Sequence, residues 1–176
     1  MTPWRRALIV LGSNIDPGSN LPAAAALVGE HPEIVVVAAS AVYESPPLGR
    51  PGDPWFHNAA LVVETSLEPA ALRTGLRRVE AVLGRVRTSD RDAPRTVDLD
   101  LAMYEGFDGD AGGRRVPDPE IPHRAFLAIP LAEVAPTWVH PDAGRTLGEI
   151  AAVFDPAREQ VRRLPGPGLG VPPAGS

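Results

Sequence analysis

Apolar and polar positions along the chain follow two periods, one near two residues and one near 3.6. The run ALIVLGSN, from Ala7, is almost wholly apolar and predicts a buried strand. Ser19 and Asn20 supply capping side chains ahead of LPAAAALVGE, with Pro22 early in the expected helix. EIVVVAASAVYES predicts a second strand. The loop from Pro46 to Pro54 ends it, because proline has no N–H to give a ladder. WFHNAALVVETS reads as a third strand. In LEPAALRTGLRRVEAVLGR, Leu72, Leu76, Val79 and Leu83 fall at helical spacing and Gly84 marks the stop. A fourth strand lies within TVDLDLAMY. The turn-rich EGFDGDAGGRR follows as a hairpin or surface loop, with Asp108 and Asp110 as turn residues. HRAFLAIPLAEVAP predicts a third short helix ending near Pro136.

The order strand, helix, strand, strand, helix, strand predicts an α+β fold. Its expected form is a ferredoxin-like sandwich: a mainly antiparallel sheet with helices packed on it. Residues 1–164 are expected to form a single domain, and the Pro/Gly-rich tail 165–176 is expected to be disordered.

One strand breaks its own pattern. In TVDLDL, Val97, Leu99 and Leu101 share one face, so Thr96, Asp98 and Asp100 share the other. Two carboxylates on one face, with Cα atoms roughly 6.5 Å apart after two strand rises, repel each other unless a cation lies between them. Aspartate is also depleted in strands, and local conflicts of this kind mark functional positions. A hard divalent cation such as Mg²⁺, held by one or two carboxylates with substrate phosphates, resolves the conflict.

Composition narrows the chemistry. The 176 residues suit one domain with a real core, and the net charge of −5 gives no basic field for nucleic acid. All 17 basic residues are arginine. Without lysine there is no Walker-type phosphate loop and no lysine Schiff base, so any phosphate clamp must be built from guanidinium groups. Without cysteine there is no disulfide, thiolate metal site or cysteine nucleophile. The apolar run Ala7 to Leu11 is too short for a signal or membrane segment, so a cytoplasmic protein with no membrane partner is expected. Arg85, Arg87, Arg91 and Arg95 flank the aspartates, a combination able to hold a polyphosphate and its metal ions together.

The motifs LGSN, YESPPLG, FHNAAL, VEAVLGRVR, APRTVDLDL and RAFLAIPLAEVAP occur in this order. From about Ala7 to Phe154 the chain resembles the 6-hydroxymethyl-7,8-dihydropterin pyrophosphokinases of folate biosynthesis. The resemblance implies transfer of a pyrophosphoryl group from ATP to the pterin hydroxymethyl oxygen with release of AMP, by a monomer using two Mg²⁺ ions on Asp98 and Asp100. It implies catalytic roles for Asp98, Asp100, Arg85 and Arg95. The nucleotide would meet Arg85, Arg95 and Arg124, with Glu80 supporting that side and Arg87 organising the loop that follows. The pterin would lie between Phe56 and Phe126, hydrogen-bonded to Asn58 and to the loop residues Ser45, Pro46 and Leu48. Trp55 is the rival stacker, but period two places it on the opposite face. The SPPLG and RTSDRD loops would close over the ligands.

Three positions depart from the family pattern. Asp118 stands where the family usually has histidine, Asp92 where a tryptophan often sits, and Arg77 where glutamine is frequent. An acid at 118 is expected to repel phosphate, with His123 the candidate substitute. Three other readings stay open at this level: a metal-dependent phosphohydrolase, a non-catalytic pterin or nucleotide binder, and a ferredoxin-like interaction module.

Overall fold

The computed structural model describes residues 2–171. Its first half runs β1 (Arg5–Ser13), α1 (Pro17–Gly29), β2 (Ile34–Ala39), β3 (Tyr43–Ser45), β4 (Phe56–Thr65) and α2 (Pro69–Val82). The second half runs β5 (Asp98–Tyr104), β6 (Gly109–Asp110), β7 (Arg115–Val116), α3 (Ala125–Val134), β8 (Val139–His140), β9 (Arg145–Thr146), α4 (Leu147–Ala151) and β10 (Arg162–Arg163).

Strand β1 is central because it is apolar on both faces. It pairs antiparallel with β4 on one side and β5 on the other, while β2 and β3 lie end to end along the far edge of β4. This is the expected α+β arrangement. The alternation along the strands divides the core in two. Ile9, Leu11, Leu61, Val63, Leu99 and Leu101 face α1 and α2 through Leu21, Val28, Leu72 and Leu76. Leu8, Val10, Val62 and Met103 face α3 and α4 through Ala128, Leu131, Leu147 and Ile150. Truncating any of these fully buried leucines to alanine would cost about 2–5 kcal/mol.

Local chemistry explains where the elements depart from expectation. Helix α1 begins at Pro17, not after Asn20. Asp16 turns the chain at φ 42°, and Asn20 already lies inside the helix with its Nδ2 donating to Ile15 O at 2.6 Å. The run expected as one strand is interrupted at Ser40, whose Oγ accepts the Ala60 N–H at 2.8 Å and replaces a ladder bond. Gly84 does end α2, at φ 78°. The short β6–β7 hairpin forms where the turn was expected.

Beyond Pro136 the sequence carried no assignment, yet β8, β9 and α4 form there, the helix closed by a Thr146–Glu149 capping box. The expected tail begins just after a further short strand and carries one core contact. Strand β10 pairs with β3, and Leu169 is 4% exposed within the α1/α2 side of the core. An isolated leucine in a Pro/Gly-rich stretch has no periodicity to reveal that burial. The rest of that expected tail, 172–176, lies outside the described residues. Among the described residues no helix is long and apolar enough to cross a membrane.

Candidate active site

Three neighbouring strands each contribute two alternate residues to one surface. Register sets Asn58, Gly12 and Asp98 in one row across β4, β1 and β5, and Ala60, Val10 and Asp100 in the next. Phe56 extends the surface along β4. The same face farther along is covered by α3 and α4, so the uncovered end forms the floor of a cavity. Gly12 lies between Asn58 and Asp98, and a Cβ there would only touch Asn58 Oδ1 at 3.5 Å and the Phe56 ring at 3.9 Å.

That cavity has a volume of about 290 Å³. Its walls are Phe56 and Phe126, the loop from Ser45 to Gly49, and Asn58, with Asp98 and Asp100 at one side. Asn58 is buried and donates to Ser45 Oγ at 2.7 Å. No donor among the described residues reaches Asn58 Oδ1, so it is available to a ligand. Next to the cavity lies a cleft of about 370 Å³ lined by Arg73, Arg77, Arg85, Arg87, Arg91, Arg95 and Arg114. Asp98 and Asp100 line both spaces. The carboxylate pair therefore stands between an aromatic cavity suited to a flat ring and an arginine cleft suited to phosphates.

The electrostatics are those of a pair lacking sufficient positive charge. Arg95 Nη1 donates to Asp98 Oδ2 at 3.0 Å, and its guanidinium carbon lies 5.4 Å from the centre of the Phe56 ring. Among the described residues the one cation within 4 Å of the Asp100 carboxylate is Arg114, at 3.9 Å. Burial first, and the Asp98 charge second, push the Asp100 carboxyl up to about 6. Among the described residues no group of three or more His, Cys, Asp or Glu side chains converges as a metal site. Two hard oxygen donors beside an anion-binding cleft nevertheless fit Mg²⁺, which takes much of its coordination from water and phosphate.

Behind the pair, Glu80 is 1% exposed and lines neither space. It accepts the Leu99 N–H at 2.8 Å and Arg87 Nη2 at 2.6 Å, so it holds β5 and the arginine loop rather than presenting itself to a nucleotide. Burial raises its pKa.

Across the mouth of the cavity the two expected closing loops meet. Arg50 and Asp90 form an ion pair, and Gly49 lies so near Asp92 that an added Cβ would come within 2.6 Å of the Asp92 carboxyl carbon. Leu48 lines the cavity and is 63% exposed.

Ser45, Pro46, Leu48, Phe56, Asn58 and Phe126, expected from the resemblance, all line the cavity, whereas Trp55 does not. Arg85 and Arg87 line the cleft, and Arg95 lines both spaces. Arg124 differs from expectation: it is on the cavity wall, paired with Glu120 at 3.0 Å, and absent from the cleft lining. His123 lines neither. Asp118, the acid expected to repel phosphate, is paired: Arg114 Nη2 donates to its Oδ2 at 3.0 Å. Arg73 and Arg114 were missed. Arg114 sits in a turn-rich segment whose docking against β5 has no local signature, and Arg73 on an amphipathic helix reads as solvated.

Comparison with known proteins bears on the family and the fold. A sequence model of the 7,8-dihydro-6-hydroxymethylpterin-pyrophosphokinase (HPPK) family matches residues 8–136. A 2-amino-4-hydroxy-6-hydroxymethyldihydropteridine pyrophosphokinase of Methylorubrum extorquens is 40% identical over 153 residues, covering 86% of this chain and 95% of that protein. Its counterpart in Pseudomonas aeruginosa is 37% identical over 163 residues, 92% of this chain and 98% of that one. The crystal structure of Plasmodium falciparum HPPK-DHPS wild type with pteroate superposes with a TM-score of 0.69 at 11% identity, over 93% of this chain. The match spans 46% of that longer chain, and at such low identity the likeness shows the fold alone.

Proposed function

Because the chain belongs to the 7,8-dihydro-6-hydroxymethylpterin-pyrophosphokinase family, we propose that it transfers the pyrophosphoryl group of ATP to the hydroxymethyl oxygen of 6-hydroxymethyl-7,8-dihydropterin. In this reaction the pterin oxygen forms a bond to the β-phosphorus. The bond from that phosphorus to the oxygen retained by AMP breaks, and the hydroxyl proton leaves. The observation that carries this reading is the carboxylate pair on the wall common to the aromatic cavity and the arginine cleft.

Each group has a role that follows from its chemistry. Phe56 and Phe126 supply faces for the flat heterocycle, and Asn58 supplies an acceptor to its polar edge. Arg85, Arg87 and Arg95 hold the triphosphate, which brings the β-phosphorus toward the cavity. Asp98 and Asp100 would hold Mg²⁺, which when bound neutralises charge on the phosphates and on the departing AMP. The loops carrying Leu48 and Asp92 exclude water that would otherwise compete as nucleophile.

The deciding experiment mixes the protein with ATP, Mg²⁺ and the pterin alcohol and follows AMP. The expected result is AMP and pyrophosphorylated pterin in equal amounts. Nucleotide cleavage at the same rate without pterin would instead identify a phosphohydrolase, and ligand binding with no AMP a non-catalytic binder.

A further inference from the structure

Among the described residues three arginines line both the aromatic cavity and the cleft: Arg91, Arg95 and Arg114. Arg95 is paired with Asp98, which the pyrophosphokinase reading assigns to metal. Arg114 is held differently. Its Nη2 donates to Asp118 Oδ2 at 3.0 Å, and the Asp118 side chain is 4% exposed. Asp118 is itself fixed from three sides. Its N–H donates to Ala102 O at 2.8 Å, its Oδ1 accepts the Glu120 N–H at 2.9 Å, and its carbonyl lies 2.9 Å from His140 Nε2. The hairpin that delivers Arg114 is tied to α2, where Arg73 donates to the carbonyls of Ala111 and Gly112.

A buried aspartate left without its cation is strongly destabilising, so this pair holds the guanidinium in place. The other prong behaves otherwise. Arg114 Nη1 is 3.9 Å from Asp100 Oδ1, beyond hydrogen-bond length, so its donors there are not consumed. A planar donor fork fixed at one end and open at the other is preorganised for an oxyanion. The open end lies at the junction of cavity and cleft, beside the aspartate pair, where transferred phosphoryl oxygens must pass.

We infer that Arg114 is a catalytic residue that donates to oxygens of the transferring pyrophosphoryl group, and that Asp118 is the positioning residue that aims it. This rests on the pyrophosphokinase reading and deepens it. The acid at 118 then contributes to phosphate binding through its partner instead of opposing it.

The test compares Arg114→Ala, Asp118→Asn and the double variant for turnover, pterin affinity by fluorescence titration, and melting temperature. Arg114→Ala should lower kcat by about 100-fold, the usual effect of losing one preorganised donor, with pterin affinity unchanged. Asp118→Asn should lower kcat by a smaller factor, since the guanidinium remains but is less firmly aimed. The double variant removes the Asp118 charge together with its partner and so keeps the fold accessible even where Arg114→Ala does not. It should be no slower than Arg114→Ala alone, because Asp118 acts only through Arg114. Added guanidinium ion should restore part of the Arg114→Ala turnover. A folded double variant with wild-type kcat, or losses that multiply in it, would overturn the inference. Absence of AMP from the wild-type protein would instead overturn the parent reading, and this one with it.

Discussion

Glu80 Oε1, in α2, accepts the backbone N–H of Leu99 at 2.8 Å, and Leu99 is the residue between Asp98 and Asp100. One buried carboxylate thus ties the helical layer to the strand position that sets the spacing of the aspartate pair. Its second oxygen holds Arg87. Glu80→Ala leaves that amide without its acceptor and should cost about 1–3 kcal/mol. Glu80→Gln keeps an acceptor but loses the charge, so it should melt near wild type while raising the KM for nucleotide through a freed Arg87. An unchanged melting temperature in Glu80→Ala would show that the tie does not hold the strand.

Asp98 is partly exposed and among the described residues its one salt-bridge partner is Arg95, so its loss removes chemistry more than packing. Asp98→Ala is expected to abolish Mg²⁺-dependent transfer and to leave the circular dichroism spectrum unchanged. Full activity in a correctly folded Asp98→Ala protein would remove the metal-holding role.

Asp100 gives a pH dependence of definite sign. Its carboxyl is raised from 3.8 to about 6 by burial and then by Asp98. Below pH 3.8 it is protonated in both folded and unfolded chains and makes no difference. Between there and about 6 the folded form keeps a proton that the unfolded form has released, so stability from this group falls as pH rises, by on the order of 3 kcal/mol in total. Asp100→Asn should flatten that part of the metal-free stability profile. A wild-type profile equally flat from pH 4 to 7 would show that the group is not raised. Because the cation requires the ionised form, Mg²⁺ affinity measured by calorimetry should weaken below about pH 6.

Gly49 and Asp92 bring the two loops together over the cavity. Gly49→Ala places a methyl group 2.6 Å from the Asp92 carboxyl carbon and should spread the loops, raising the KM for pterin several-fold with little change in melting temperature. Asp92→Gly added to that variant should restore the KM. If Gly49→Ala alone leaves the kinetics unchanged, the loops do not need this approach during turnover.

Much of this site was legible because its pattern is local. Asp98 and Asp100 interrupt a strand whose alternate positions are apolar, and period two alone puts both on one face. Phe56 and Asn58 share that property on β4. The arginines around GRVR and PRT stood out because no lysine competes with them. Other residues had no such signal. Glu80 and Arg73 sit on a helix where an ion usually faces water, Asp118 read only as an acid that repels phosphate, and Leu169 lay in a stretch composed like a linker. Glu80 and Arg73 are defined by partners 19 and 38 residues away, and Asp118 by an arginine that only the folding of the hairpin turns toward it.

By itself, then, the sequence determined the main strands and helices before Pro136 and the placing of an acid pair opposite a core face, because side-chain direction within an element follows from backbone period. Only the tertiary structure decided that the pair divides an aromatic cavity from an arginine cleft, and that Asp118 holds Arg114 in place. Those relations depend on strand register and on a hairpin docking across the sheet. Both arise from contacts remote along the chain, and no local periodicity encodes them.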